Sequence, residues 1–273
     1  MFKNILLPID NSEYSQTASR YAIELARLYG STIHGLSVVN IKLIQGSLIT
    51  DLNSIIRLAP RQLEEVLQDK GQEILDKLSR LCEEAGVTCK ISSSMGIIGE
   101  SICRKASVAD LIVMGKYGES GEWSGPLLGS VAETVVRQAD KPVFLASREY
   151  QEINRILIAY DKGRSANHML HFAANVAMTL NSPISVLVIC DDKKLHESLM
   201  NDAVLYLEAY GVEVEPLLKD GEPAEEILMA AKEKKADLIA MGAYGHNIRE
   251  FLLGSITEHV MREAYCPILL YRY

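Results

Sequence analysis

A chain of 273 residues, 48% hydrophobic and 23% charged, is ordinary globular material with room for more than one domain. Its formal net charge of -8 argues against nucleic acid and membrane as partners, because an acidic surface repels phosphate backbones and anionic lipid. Five cysteines, an odd number with no Cys-x-x-Cys pair, read as free thiols in a reducing cytoplasm; no apolar run approaches the roughly 18 residues of a membrane span, and Met1–Ile5 has no signal-peptide pattern.

In chain order, Ile5–Ile9 is a short continuous apolar run, the pattern of a parallel strand covered on both faces. Ser12 or Ser15 can cap the helix that follows; Ala18, Ala22, Leu25 and Tyr29 fall at helical spacing, and Gly30 ends it. Ile33–Val39 reads as the second strand. The stretch around Ile41–Leu63 mixes polar and apolar residues with Gly46, Asn53 and Pro60, and reads as a long loop with a short helix. Gln62–Ala85 is a helix stopped by Gly86, and Val87–Ser92, Leu111–Met114 and Val143–Ala146 are further strands, separated by helices that open near Gly99 and Gly129. Beyond a short charged join at Arg148–Glu152, strands near Arg155, Ile184, Val212, Leu238 and Ile268 follow the same plan.

The two plans are one plan repeated. Asn4-Ile5-Leu6-Leu7-Pro8-Ile9-Asp10 reappears as Arg155-Ile156-Leu157-Ile158-Ala159-Tyr160-Asp161, and Ala109-Asp110-Leu111-Ile112-Val113-Met114-Gly115 as Ala236-Asp237-Leu238-Ile239-Ala240-Met241-Gly242. Leu127-Leu128-Gly129-Ser130 reappears as Leu252-Leu253-Gly254-Ser255, and Pro142-Val143 as Pro267-Ile268. The segments keep their order, so the chain divides into domains at about 1–148, with an insertion near 41–63, and 152–273. Alternating strands and helices in each predict α/β architecture: two tandem doubly wound domains, whose ligand crevices lie beyond the carboxyl ends of the strands. The join lacks the Gly/Ser character of a flexible linker, so the halves should pack together.

The loop after the fourth strand carries the chemistry. It reads Gly115-Lys116-Tyr117-Gly118, ten residues, then Gly129-Ser130; its copy reads Gly242-Ala243-Tyr244-Gly245, eight residues, then Gly254-Ser255. Glycines let backbone N–H groups approach an anion, and the Gly-Ser pair opens a helix whose N-terminus favours negative charge. The blander readings are turn glycines, Ser130 and Ser255 as simple N-caps, and Asp10 and Asp161 as caps. Trp123 reads as loop packing, Cys103 and Cys266 as packed thiols, and His168 and His171 as surface histidines despite a spacing that metal sites use.

The loop, the Asp at the end of strand one, the strand order and the duplication together resemble the nucleotide-binding subgroup of the universal stress protein family, whose motif is Gly-x2-Gly-x9-Gly-Ser/Thr. The resemblance implies a five-stranded parallel sheet per half, of the adenine nucleotide alpha hydrolase-like kind. It also implies a pseudo-dimer through the last strands, Pro142–Ser147 and Pro267–Tyr273, with a homodimer as a further option. It implies ATP, ADP or AMP as ligand, with magnesium only alongside the nucleotide. Carried over, the first site comprises Pro8, Ile9 and Asp10 on the adenine and ribose side, Val38 on the base, and Met114, Gly115, Gly118, Gly129, Ser130 and Val131 at ribose and phosphates. The second comprises Ala159, Tyr160, Asp161 and Ile189, then Met241, Gly242, Gly245, Gly254, Ser255, Ile256 and Thr257. Both spacers depart from nine residues, one longer and one shorter. Glu119 and Glu122 set against Lys116 make the first loop a poor host for a triphosphate, whereas His246, Arg249 and Thr257, the last in place of Ala132, favour the second. The function these imply is a nucleotide-binding sensor or regulatory module of a stress response. The alternatives are a slow ATPase or nucleotidyl transferase, against which the missing P-loop counts, and a scaffold that binds no nucleotide.

Overall fold

The computed structural model describes residues 2–42, 60–119, 129–190, 192–243 and 253–272. The first half contains β1 (Asn4–Pro8), α1 (Glu13–Tyr29), β2 (Thr32–Asn40), α2 (Pro60–Glu84), β3 (Cys89–Gly96), α3 (Ile98–Ala106), β4 (Leu111–Gly115), α4 (Ser130–Gln138) and β5 (Val143–Ala146). The second contains β6 (Ile156–Ala159), α5 (Arg164–Leu180), β7 (Ile184–Ile189), α6 (Lys193–Glu208), β8 (Val214–Lys219), α7 (Pro223–Lys234), β9 (Leu238–Gly242), α8 (Ser255–Glu263) and β10 (Ile268–Tyr271). All ten strands join one sheet in the order β3-β2-β1-β4-β5-β10-β9-β6-β7-β8. Every pairing is parallel except β5 with β10, where Leu145, Phe144 and Val143 face Ile268, Leu269 and Leu270 antiparallel. The doubly wound plan and the junction through the last strands both match the expectation from sequence.

The central strands are apolar on both faces because helices cover both. On one side Ile5, Leu7 and Ile33 pack with Tyr21 and Leu25 of α1 and with Leu75 and Leu78 of α2; the same layer runs on through Ile156, Ile158, Met169 and Leu170. On the other, Leu6, Leu36 and Ile112 meet Ile102 of α3 and Val135 of α4, and the layer continues through Leu157, Ile227, Ile239 and Val260. Successive residues such as Ile5, Leu6 and Leu7 alternate between the layers, as the pleat requires. Each such side chain taken from water contributes about 2 kcal/mol.

The join is sewn to α1. The Thr17 hydroxyl donates to the Arg148 carbonyl at 2.6 Å, and the Tyr21 hydroxyl to that of Gln151 at 2.8 Å. Tyr150 donates to Glu24 at 2.6 Å, and the Arg20 guanidinium lies 3.4 Å over the Tyr150 ring. Arg148 pairs with Glu13.

Edge elements depart from the sequence reading. The third strand runs Cys89–Gly96 rather than Val87–Ser92, and its copy starts at Val214 rather than near Val212. Both lie at the outer edges of the sheet, half-buried in alternation, so a continuous apolar run does not mark them. Val87 belongs to the turn instead, its N–H donating to the Cys82 carbonyl at 2.8 Å. Ser12, not Ser15, caps α1. The insertion reading falls largely on residues 43–59, outside the described residues, as do Glu122, Trp123, Gly245, His246 and Arg249.

Candidate functional site

Strand order reverses between β2-β1 and β4-β5, and again between β9-β10 and β6-β7, so a crevice opens at the carboxyl ends of β1 and β4 and of β6 and β9. The expected site residues gather there. Pro8 ends β1, with Ile9 and Asp10 just beyond; Met114 and Gly115 end β4. Ala159 ends β6, Met241 and Gly242 end β9, and Ile189 ends β7.

Backbone close approach explains the glycines. A Cβ on Gly115 would sit 2.7 Å from that of Tyr14, and one on Gly242 would sit 3.0 Å from that of Ser165. Each strand-end glycine therefore lets β4 or β9 abut the first turn of α1 or α5. A Cβ on Gly129 would come 2.8 Å from the Lys116 carbonyl, so the Gly115–Gly118 turn lies directly against the start of α4. Gly129 and Gly254 are the N-caps of α4 and α8, and among the described residues no side chain caps either helix. Ser130 and Ser255 are exposed at those helix starts. N–H groups in this position are anion donors.

The side chains divide by face. Val38, Met114 and Val131 belong to the α3/α4 layer, as Ala159, Ile189 and Met241 belong to the corresponding layer of the second half, and they form an apolar wall beside each crevice. Ile9 and Tyr160 turn into the opposite layer, Tyr160 donating to Asn167 at 2.7 Å, so only their backbone borders the crevice. Ile256 is exposed in the first turn of α8. Thr257 is buried, and its hydroxyl donates to the Ala243 carbonyl at 3.0 Å, tying α8 to the end of β9.

The two aspartates differ. Asp10 accepts from the Ser12 N–H at 3.0 Å and the Ser12 hydroxyl at 2.6 Å through Oδ1, and from the Glu119 N–H at 3.0 Å through Oδ2. It both shapes the start of α1 and holds down the β4 loop, with Gly118 so close that a Cβ there would lie 2.7 Å from Oδ2. Asp161 is exposed, and its Oδ1 accepts from the Gly163 N–H at 2.8 Å.

The Lys116 side chain leaves the first loop. It is 5% exposed and reaches into the other half, its Nζ donating to the Arg262 carbonyl at 2.8 Å and the Ala264 carbonyl at 3.0 Å at the end of α8. Burial lowers its pKa to about 8, against the opposing pull of Cys266 and Glu263. Sequence also missed Ser94. It pairs in register with Val38, on the face that carries the apolar wall, and its Oγ is buried with no hydrogen-bond partner among the described residues. Its only sequence signal is the polar run Ser92-Ser93-Ser94.

Fold and crevice thus define a duplicated, doubly wound α/β protein with a glycine-led helix start at each switch point. The model of the universal stress protein family matches residues 1–147 and 191–272. The chain belongs to that family. It is 27% identical to the universal stress protein Slr1230 of Synechocystis, over 99% of this chain and all of that one. It is 32% identical to the universal stress protein MJ0531 of Methanocaldococcus jannaschii over 56% of this chain and 86% of the relative. The crystal structure of a universal stress protein from Archaeoglobus fulgidus superposes with a TM-score of 0.79 at 25% identity, covering 98% of this chain and 96% of the other. The segment between the two matched regions includes β6, α5 and β7, which repeat β1, α1 and β2 in the sheet. Among the described residues no helix is long and apolar enough to cross a membrane, and no cluster of His, Cys, Asp and Glu could hold a metal ion.

Proposed function

We propose that the chain binds ATP, or ADP or AMP, and serves as a nucleotide-responsive regulatory module in a cytoplasmic stress response. Its two domains would be residues 1–148 and 152–273. The observation that carries this is the meeting, in each half, of an exposed Ser on a glycine-capped helix start with an apolar wall at the strand ends. The first suits phosphate oxygens and the second a base. The orphaned Ser94 hydroxyl adds a polar partner beside Val38 in the first half. Magnesium would enter only with the phosphates. The donor set fits binding and positioning; no catalytic base is part of the reading.

The second half is the preferred phosphate site. The one basic residue of the first turn, Lys116, is turned into the other half, and Asp10 is half-buried at the helix start and the loop, whereas Asp161 is exposed. That same placement of Asp10 supports a scaffold role for the first half.

The test begins with protein purified without added nucleotide, heat-denatured, and its supernatant resolved by anion exchange; the stripped protein is then titrated calorimetrically with Mg-ATP. Binding is expected, with Gly254→Leu removing the tighter event and Gly129→Leu sparing it. No nucleotide peak and no titration heat would leave the scaffold reading. Equal sensitivity to both variants would sink the preference for the second half.

A further inference from the structure

Cys82 and Cys89 bracket the turn from α2 into β3. Leu75, Leu78 and Cys82 recur on one face of α2, and all three are buried in the layer between that helix and the sheet. Gly86, at φ +69°, and the bond from the Val87 N–H to the Cys82 carbonyl then reverse the chain. Cys89 enters β3 opposite Ile33, whose side chain lies in this same layer, so Cys89 faces α2 and packs against the cluster that holds Cys82. The two thiols are neighbours, close enough for each to perturb the other's titration. The two differ in access. Cys82 is fully buried, whereas Cys89 is half-buried on the outermost strand of the sheet.

From this arrangement we propose that Cys82 and Cys89 form a peroxide-sensitive thiol pair, with Cys89 the attacking sulfur and Cys82 the resolving one. The neighbouring Cys82 holds the Cys89 thiol below its ordinary range against the opposing effect of burial, with the Gly35 backbone acting in the same sense, while the Cys82 thiol, in the core beside it, is pushed up. A low-pKa accessible thiol beside a resolving thiol is the arrangement of redox-sensing cysteines. The other thiols contrast with it. Burial raises both Cys103 and Cys266, the latter to about 12, and the Cys190 thiol donates to the Asp192 carbonyl at 3.7 Å.

The oxidant is hydrogen peroxide. The Cys89 thiolate attacks one peroxide oxygen, the O–O bond breaks, and the departing hydroxide takes a proton to leave as water. Cys89 is then a sulfenic acid. The Cys82 sulfur attacks the Cys89 sulfur, the S–O bond breaks, and the leaving hydroxide takes the Cys82 proton as a second water. Two thiols are oxidised to one disulfide and one peroxide is reduced to two waters. A small thiol or dithiol reverses the step by exchange.

Both cysteines lie in one tryptic peptide, Leu81–Lys90. The reduced full-length protein, freed of reductant, is treated with graded hydrogen peroxide, quenched, alkylated with N-ethylmaleimide and digested. Leu81–Lys90 should be the first peptide to lose its label, appearing two hydrogens lighter, and reductant should restore it. In Cys82→Ala, dimedone should trap Cys89 as the sulfenic acid; in Cys89→Ala, peroxide consumption should fall at least tenfold. Far-UV circular dichroism checks that both variants fold, and the wild-type map stands without them. Loss of label at Cys103, Cys190 or Cys266 before Leu81–Lys90 would overturn the proposal. So would a first dimedone adduct on Cys82.

Discussion

Asp10 shows how one side chain can serve both helix and loop. Its carboxylate receives two bonds from Ser12 and one from the Glu119 N–H, so Asp10→Ala leaves the start of α1 and the β4 loop each without an acceptor. The expected cost is about 1–3 kcal/mol, read as a lower denaturation midpoint at unchanged slope. If the second half is the tighter nucleotide site, Asp161→Ala should weaken Mg-ATP binding more than Asp10→Ala does. The reverse ranking would point to the first half. Sequence placed both aspartates correctly at the ends of their strands, because the duplicated apolar run before each is a local signal. It could not show what their oxygens accept from. The Glu119 partner of Asp10 is distant along the chain, and the reach of Lys116 to Arg262 and Ala264 depends on how the halves meet. Ser94 was missed for the same reason, since its neighbour Val38 lies on another strand.

Elements were legible in proportion to how completely they are covered. The central strands β1, β4, β6 and β9 lie between helices on both faces, so their apolar runs announce them. The edge strands β3 and β8 alternate between half-buried and exposed residues, and their sequence starts were misplaced by two residues. Helix packing was still less visible. Gly99 lies in the first turn of α3, where a Cβ would stand 2.6 Å from Cγ2 and 2.9 Å from Cβ of Thr134 in α4. On a free helix surface Gly→Ala would stabilise by about 0.5–1 kcal/mol. Here Gly99→Ala should instead destabilise by about 1–3 kcal/mol, because α3 must move off α4. Thermal unfolding checks the sign, and Gly99→Ala with Thr134→Ser should recover part of the loss. A higher melting temperature in the single variant would contradict the packing.

At the scale of the whole molecule, the halves are tied together at the ends of α8 and α4: Lys116 reaches the last carbonyls of α8, and Arg272 donates to the Arg137 carbonyl near the end of α4. A cation at a helix C-terminus is electrostatically favoured. Each helix whose start borders a candidate anion site is therefore held at its other end by the opposite half. Lys116→Met removes one of these contacts and should destabilise the protein by about 1–3 kcal/mol near pH 7 through the unpaired carbonyls. Its pH dependence gives a sharper test. Folding lowers the Lys116 pKa from 10.5 to about 8, so between those values the unfolded chain holds a proton that the folded chain has released. Stability from this group must therefore rise with pH across that window, and the released amine can still donate to both carbonyls. Tyr21 and Tyr265, pushed up to about 12 by burial, act in the opposite sense, but only from about pH 10 upward. Both tyrosines remain in the variant, so their contribution cancels in the difference. The stability gap between wild type and Lys116→Met should accordingly widen from about pH 7 to about pH 9.5, measured by urea unfolding at each pH. A gap that narrows would mean that Lys116 titrates above its ordinary value, and that its charge stabilises the fold more than its burial costs.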